Sequence, residues 1–186
     1  MNKYKLTKIT KEWCGIRFYQ IEALKDFNIV VKGEKGGWVE KEDNLSQDGD
    51  AWVYGDARVY GDAQVYGYAR VSDNAQVSGN AWVYGNARVY GDAWVYGDAR
   101  VYGDAQVYGD AWVSGNAQVY GELKLISGYF YHTKQKTEKV EMIENNEDYE
   151  TLCSNPKLGE EEKPKGKKVR IRLAEGNIVE GEIIED

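Results

Sequence analysis

The chain has 186 residues, a formal net charge of −7 and a pI near 4.9, which argues against nucleic-acid binding through a basic surface. Hydrophobic residues make up 42%, yet Phe numbers only 3 and Met 2, so the apolar content is mostly Val, Ala, Tyr and Trp and suits a narrow core of small side chains. Two cysteines, Cys14 and Cys153, make no disulfide framework and point to a reducing, cytoplasmic setting, and no apolar run has the length of a signal or a membrane span.

In chain order, residues 1–36 form a mixed capping segment. Alternation in Tyr4–Ile9 and Ile16–Ile21 predicts two short strands. Gly36-Gly37-Trp38-Val39 and Asn44-Leu45-Ser46 look like degenerate hexads leading into a repeat array. From Gly49 to Tyr120 a six-residue phrase, Gly-Asp-Ala-x-Val-Tyr, runs without a gap, and a larger version, Gly121-Glu122-Leu123-Lys124-Leu125-Ile126, closes it. Residues 37–127 are therefore taken as one solenoid. The remaining 128–186 should open with a strand at 128–132. Residues 136–153 are ambiguous, with a short helix possible at 146–152. A charged linker at 159–168 leads into a hairpin at 168–184.

Within a hexad, Ala-x-Val-Tyr reads as a four-residue strand with Ala and Val on the inner face and x and Tyr outside. Gly supplies positive φ at the corner, and Asp or Asn bonds its own backbone there. One extra residue near Ala93 is expected to unfold the array, because a shift of one moves inner side chains outward.

The spacing of Val59 and Ala63, an aliphatic residue and a small one four later, resembles the left-handed β-helix of hexapeptide-repeat proteins. The resemblance implies three hexads per triangular coil, hence four coils for 49–120. The family usually has Gly directly after the aliphatic residue; here Tyr or Ser stands there and Gly comes next, so handedness rests on the resemblance and not on turn chemistry. Upstream, Asp26-Phe27-Asn28, Gly36-Gly37-Trp38-Val39 and Asn44-Leu45-Ser46-Gln47 leading into Gly49-Asp50-Ala51-Trp52 are similar to the opening of YdcK-like hexapeptide-repeat proteins of bacteria and phages. That likeness covers about residues 20–126 and implies a capped β-helix with no established activity. The expected fold class is thus all-β: a left-handed parallel β-helix with an N-terminal cap and a small C-terminal α+β or hairpin region.

Hexapeptide acyltransferases typically use an interfacial His as general base, and carbonic anhydrases of this fold hold zinc on three. The sequence has 1 His, His132, past the last hexad. Neither site carries over, and no catalytic residue, metal or cofactor is expected. Free interchange of Asp with Asn at the corners argues for turn chemistry over calcium.

The outward positions remain. Three hexads per coil put Tyr66, Tyr84, Tyr102 and Tyr120 in one unbroken column, with Ser interrupting the other two. The variable position adds Trp52, Trp82, Trp94 and Trp112, with Arg58, Arg88 and Arg100 among them. Aromatic and Arg ladders stabilise a sheet, but the same groups bind partners with little entropy loss. These eleven residues are the candidate partner or ligand contacts. Tyr68, Ser72, Asp73 and Ser78 break the pattern and read as a notch or as drift.

The expectation is a non-enzymatic β-solenoid binding or scaffold protein, a homo-oligomer (a trimer by resemblance), contacting no membrane. A phage or prophage inhibitor of host defence is the alternative, anti-CRISPR-like or nucleotide-sequestering, with a host protein or a small nucleotide as partner. An acyltransferase-like enzyme using His132 is the third.

Overall fold

The computed structural model describes residues 2–135, 166–172 and 177–184. The expected short helix at 146–152 lies outside them, as does Cys153. The molecule is an all-β parallel solenoid of about five turns. Two strands precede it, β1 (Tyr4–Trp13) and β2 (Ile16–Ala23), paired antiparallel, and β3 (Lys35–Val39) joins β2 to the first coil. The array strands are shorter than the four residues expected. Regular pairing is confined to the x-Val dipeptide: β4 (Trp52–Val53), β5 (Arg58–Val59), β6 (Gln64–Val65), β7 (Arg70–Val71), β8 (Gln76–Val77) and β9 (Trp82–Val83). The series continues with β10 (Arg88–Val89), β11 (Trp94–Val95) and β12 (Arg100–Val101), is broken by β13 (Gln106–Val113), which runs eight residues through a corner, and ends with β14 (Gln118–Val119). Ala and Tyr flank each dipeptide as the chain bends toward the corners.

Each x-Val stacks in parallel on the one eighteen residues later, for example Arg70 on Arg88 and Val71 on Val89. Three hexads therefore make a coil, which creates three faces. The first runs β3-β5-β8-β11-β13, the third β4-β7-β10-β13, and the second is a separate sheet of four strands, β6-β9-β12-β14. The backbone N–H of one rung donates to the carbonyl above it, as in Tyr66 N to Val83 O at 3.1 Å and Arg88 N to Ala105 O at 2.9 Å.

The expected inner pair holds throughout: every array Ala and Val from Ala51 to Val119 is fully buried. Burying one Val contributes about 1.5–3 kcal/mol, so this ladder dominates the stability of the coil. Corner glycines are needed twice over. Gly79 has φ +65, and a Cβ there would lie 2.9 Å from the Gly97 nitrogen on the next rung. No helix among the described residues is long and apolar enough to cross a membrane.

Five turns exceed the four expected because the lead-in and exit segments also coil. Trp38 pairs with Arg58 and Leu45 bridges Val65 below the first full coil. Above the last, β15 (Lys124–Gln135) lies parallel on β13. The lower end is closed by polar anchors as well as apolar ones. The Tyr4 hydroxyl is 2.7 Å from the carbonyls of both Glu42 and Leu45, and Asn44 Nδ2 donates to Gly61 O and Ala63 O. Lys3 is fully buried there with Nζ donating to Ala51 O at 2.9 Å, and burial lowers its pKa to about 8. The expected C-terminal hairpin is present as β16 (Gly166–Arg172) and β17 (Asn177–Ile184), antiparallel to each other, with β17 pairing along β15.

Candidate binding surface

The three faces share one backbone and differ in what covers them. On the first, the β1–β2 hairpin lies over the array. Trp13 meets Tyr60 and Trp94 edge-on at 6.1 and 6.4 Å, and the Arg58 guanidinium sits 4.7 Å above its ring. Phe18 adds a second edge-on contact to Tyr60 at 5.5 Å. Trp94 stacks under Trp112, which in turn packs on Tyr129 of β15. On the third face Trp52 is sealed by Phe27 at 5.3 Å and Tyr4 at 6.1 Å.

Trp52 and Trp94, expected on the surface, are thus 0% and 5% exposed and serve internal packing. Trp112 and Arg58 are half-buried in the same layer. Four of the eleven candidates therefore hold the end segments onto the coil. Repeat spacing could not show this, because the covering residues Tyr4, Trp13 and Phe27 lie in the aperiodic lead-in.

The second face keeps its outward side chains at the surface. Tyr66, Tyr84, Tyr102 and Tyr120 stack at 4.9, 4.9 and 5.2 Å with interplanar angles of 2°, 5° and 11°. Beside them Trp82 is 38% exposed, edge-on to Tyr66, with the Arg100 guanidinium 5.2 Å over its ring. Gln64 and Arg100 are exposed as well. The Tyr102 hydroxyl donates to Gln118 Oε1 at 3.2 Å, tying the column to the next rung. Burial first, then neighbouring phenols, raises the pKa of Tyr66 and Tyr102.

Because these rings stack on one another, their π faces are largely used within the ladder. What the column turns outward is a row of ring edges and hydroxyls. Such a surface suits a flat protein contact better than capture of a planar ligand between rings. Arg88, the remaining candidate, lies exposed on the third face.

The family description "YdcK Beta solenoid repeat" fits residues 51–67, 63–79, 69–85, 75–91, 81–97 and 105–121, all within the three-faced coil. The matched residues of the array thus resemble the YdcK β-solenoid repeat. The chain is also similar to the "Uncharacterized acetyltransferase YdcK" of Escherichia coli (strain K12), 34% identical over 62 residues. That stretch covers 29% of this chain and 19% of the relative, so the likeness spans about a fifth of the relative's length.

The array also refines the reading of its corners. In one coil Asp and Asn are ordered. Asn74, Asn80 and Asn86 form one complete coil, and each Nδ2 donates to the Asp Oδ1 above it, on Asp92, Asp98 and Asp104, at 3.0, 2.9 and 2.9 Å. A coil of amides lies directly below a coil of carboxylates, so each carboxylate meets a donor there instead of a like charge. The opposite ends of two columns are neutralised by Lys11 on Asp56 and Lys41 on Asp62. Among the described residues no group of three His, Cys, Asp or Glu could hold a metal ion.

This order predicts a reciprocal result. Asn86→Asp removes the bond to Asp104 and stacks carboxylates at 86, 104 and 122, costing about 1 kcal/mol at low salt. Adding Asp104→Asn places an amide between the carboxylates at 86 and 122, and the double variant should melt at or above the parent temperature. Equal melting of the single variant and the parent would show that the ladder contributes nothing.

Proposed function

We propose that this chain is a non-enzymatic binding or scaffold module that self-associates through the four-stranded sheet of β6, β9, β12 and β14. The observation that carries the reading is the Tyr66–Tyr120 column with exposed Trp82 and stacked Arg100 on a flat face that keeps its outward side chains at the surface. Tyr, Trp and Arg are the residues that dominate protein contacts, and a ladder already ordered by stacking loses little side-chain entropy on association. The printed name of the E. coli relative makes acetyl transfer the competing reading. Against it, no hexad supplies an imidazole to act as base.

Analytical ultracentrifugation of the full chain tests the reading. Trp82→Gln and Tyr84→Ser use residues the array itself carries at equivalent positions, Gln64 and Ser72, so the coil should persist. The parent is expected to sediment as an oligomer, and the double variant to dissociate roughly tenfold more readily or beyond at similar melting temperature. A parent that stays monomeric at high concentration would remove the proposal. So would acetyl-CoA turnover that is lost on replacing His132.

A further inference from the structure

Ser replaces Tyr at three ladder positions, and each replacement deletes one ring from a column. The first face, where Ser78 makes one of these gaps, shows how an added ring packs on the ladder. Trp13 of β1 bridges the rungs on either side of it, touching Tyr60 below and Trp94 above, with Arg58 over its ring. In this fold, then, an incoming planar ring packs edge-on against ladder aromatics with an Arg over its face.

The gap at Ser72 on the third face has the same form. Tyr54 lies one rung below and Tyr90 one rung above. Tyr90 stacks on Tyr108 at 4.7 Å and 4° on its upper side, so its lower face looks onto Ser72. Two rungs of about 4.8 Å leave room for one ring at stacking distance from both tyrosines. Tyr54 packs against the core cluster, which holds the floor of the gap in place.

Charge on the two sides of the gap differs. Along the face, Arg70 and Arg88 are paired in register, and among the described residues neither takes part in an ion pair. At the corner, Asp73 stands where the other array corners have Gly, with φ +62. A non-Gly residue held there is strained. Its Oδ2 accepts from Gly91 N at 3.0 Å and Ser72 Oγ at 3.4 Å, which leaves Oδ1 to accept from something else. Two guanidiniums thus flank one side of a ring-sized slot, and an anchored carboxylate the other.

We propose that the Ser72 gap binds a planar aromatic anion of the mononucleotide class. The base lies between Tyr54 and Tyr90, its amino or ring N–H groups donate to Asp73, and its phosphate is held by Arg70 and Arg88. This site is on a different face from the proposed self-association surface, so each can fail without the other.

Isothermal titration of the full chain with AMP, GMP and UMP tests it, with adenosine as the ring alone and ribose 5-phosphate as the anion alone. Ser72→Tyr restores the residue found at most ladder positions and should fold. It fills the slot and is expected to weaken nucleotide binding roughly tenfold or more. Arg70→Gln with Arg88→Gln should weaken AMP by a similar factor while leaving adenosine unchanged. The proposal is overturned if none of the three nucleotides binds the parent saturably, or if Ser72→Tyr binds them as the parent does. Equal loss of AMP and adenosine in the arginine variant would overturn the phosphate assignment.

Discussion

One residue inserted between Trp94 and Val95 should destabilise the protein on the order of 3–5 kcal/mol, while the same residue inserted after Gly91 should cost much less. Val95 is fully buried and Trp94 is packed under Trp112, so an in-strand insertion turns one of them to the wrong side. The loss combines about 1.5–3 kcal/mol of Val burial with rung-to-rung hydrogen bonds, such as Tyr96 N to Val113 O, at roughly 0.5–1.5 kcal/mol each. Corners behave differently, and the molecule already shows it. Trp38 pairs with a residue twenty positions on, Arg58 with one eighteen on, and Trp112 with one seventeen on. That last change occurs between Val107 and Asp110, at a corner, and Val113 still pairs with Phe130 above it. The expectation that any insertion near Ala93 unfolds the array is therefore too broad, because the corner between Val107 and Asp110 already absorbs such a shift. Thermal melts of the two insertion variants decide the matter; equal losses would show that corners are as intolerant as strands.

Alkali should unfold the protein cooperatively. Burial, followed by the nearby Glu42 and Asp43 charges, raises the Tyr4 pKa far above its ordinary value of 10.0. Burial likewise raises Tyr60 and Tyr96, and burial together with the Tyr96 hydroxyl raises Tyr129. An acid whose folded pKa is raised contributes stability that is complete below the unfolded pKa and is lost as pH rises toward the folded one. Above pH 10 the unfolded chain sheds these protons while the folded chain keeps those of Tyr4 and Tyr129, so stability falls by about 1.4 kcal/mol per pH unit for each of these two, with Tyr60 and Tyr96 adding in the same direction. Ladder phenols nearer water add less.

Lys3 works in the opposite sense over an earlier window. With its pKa lowered from 10.5 to about 8, the unfolded state holds more protons between those values, and stability rises with pH there. The melting temperature should thus pass through a shallow maximum between pH 8 and 10 and then collapse. Phenolate absorbance and far-ultraviolet dichroism should change together. Gradual ionisation with the sheet intact would contradict the burial of these tyrosines.

The coil was legible in the sequence because its period is short and its inner residues never vary. Ala and Val fall inside and the tyrosines fall into columns once three hexads are assigned to a turn, a count that came from resemblance and that the pairing of Arg70 with Arg88 bears out. What escaped were relations at long range. Nothing in the phrase Ala51-Trp52-Val53 says that Phe27 and Tyr4 will cover the indole. The order of Asn and Asp looked arbitrary read hexad by hexad and became a donor–acceptor ladder only at a separation of eighteen. The aromatic columns read as partner or ligand contacts, but residue identity cannot say whether ring faces or ring edges point outward. Mutual stacking at 4.7–5.2 Å decides that.

Three hexads to a coil also makes the array an angular dial. Adding or deleting eighteen residues lengthens or shortens the column and leaves the exit strand β15 above the same face. Adding a single hexad would rotate that exit by a third of a turn relative to the β1–β2 hairpin. Near-identical repeats are prone to gain and loss by unequal copying, and the stacking ladders would tolerate either. Each such event would re-aim the chain beyond residue 124 around the axis while the coil itself stayed unchanged.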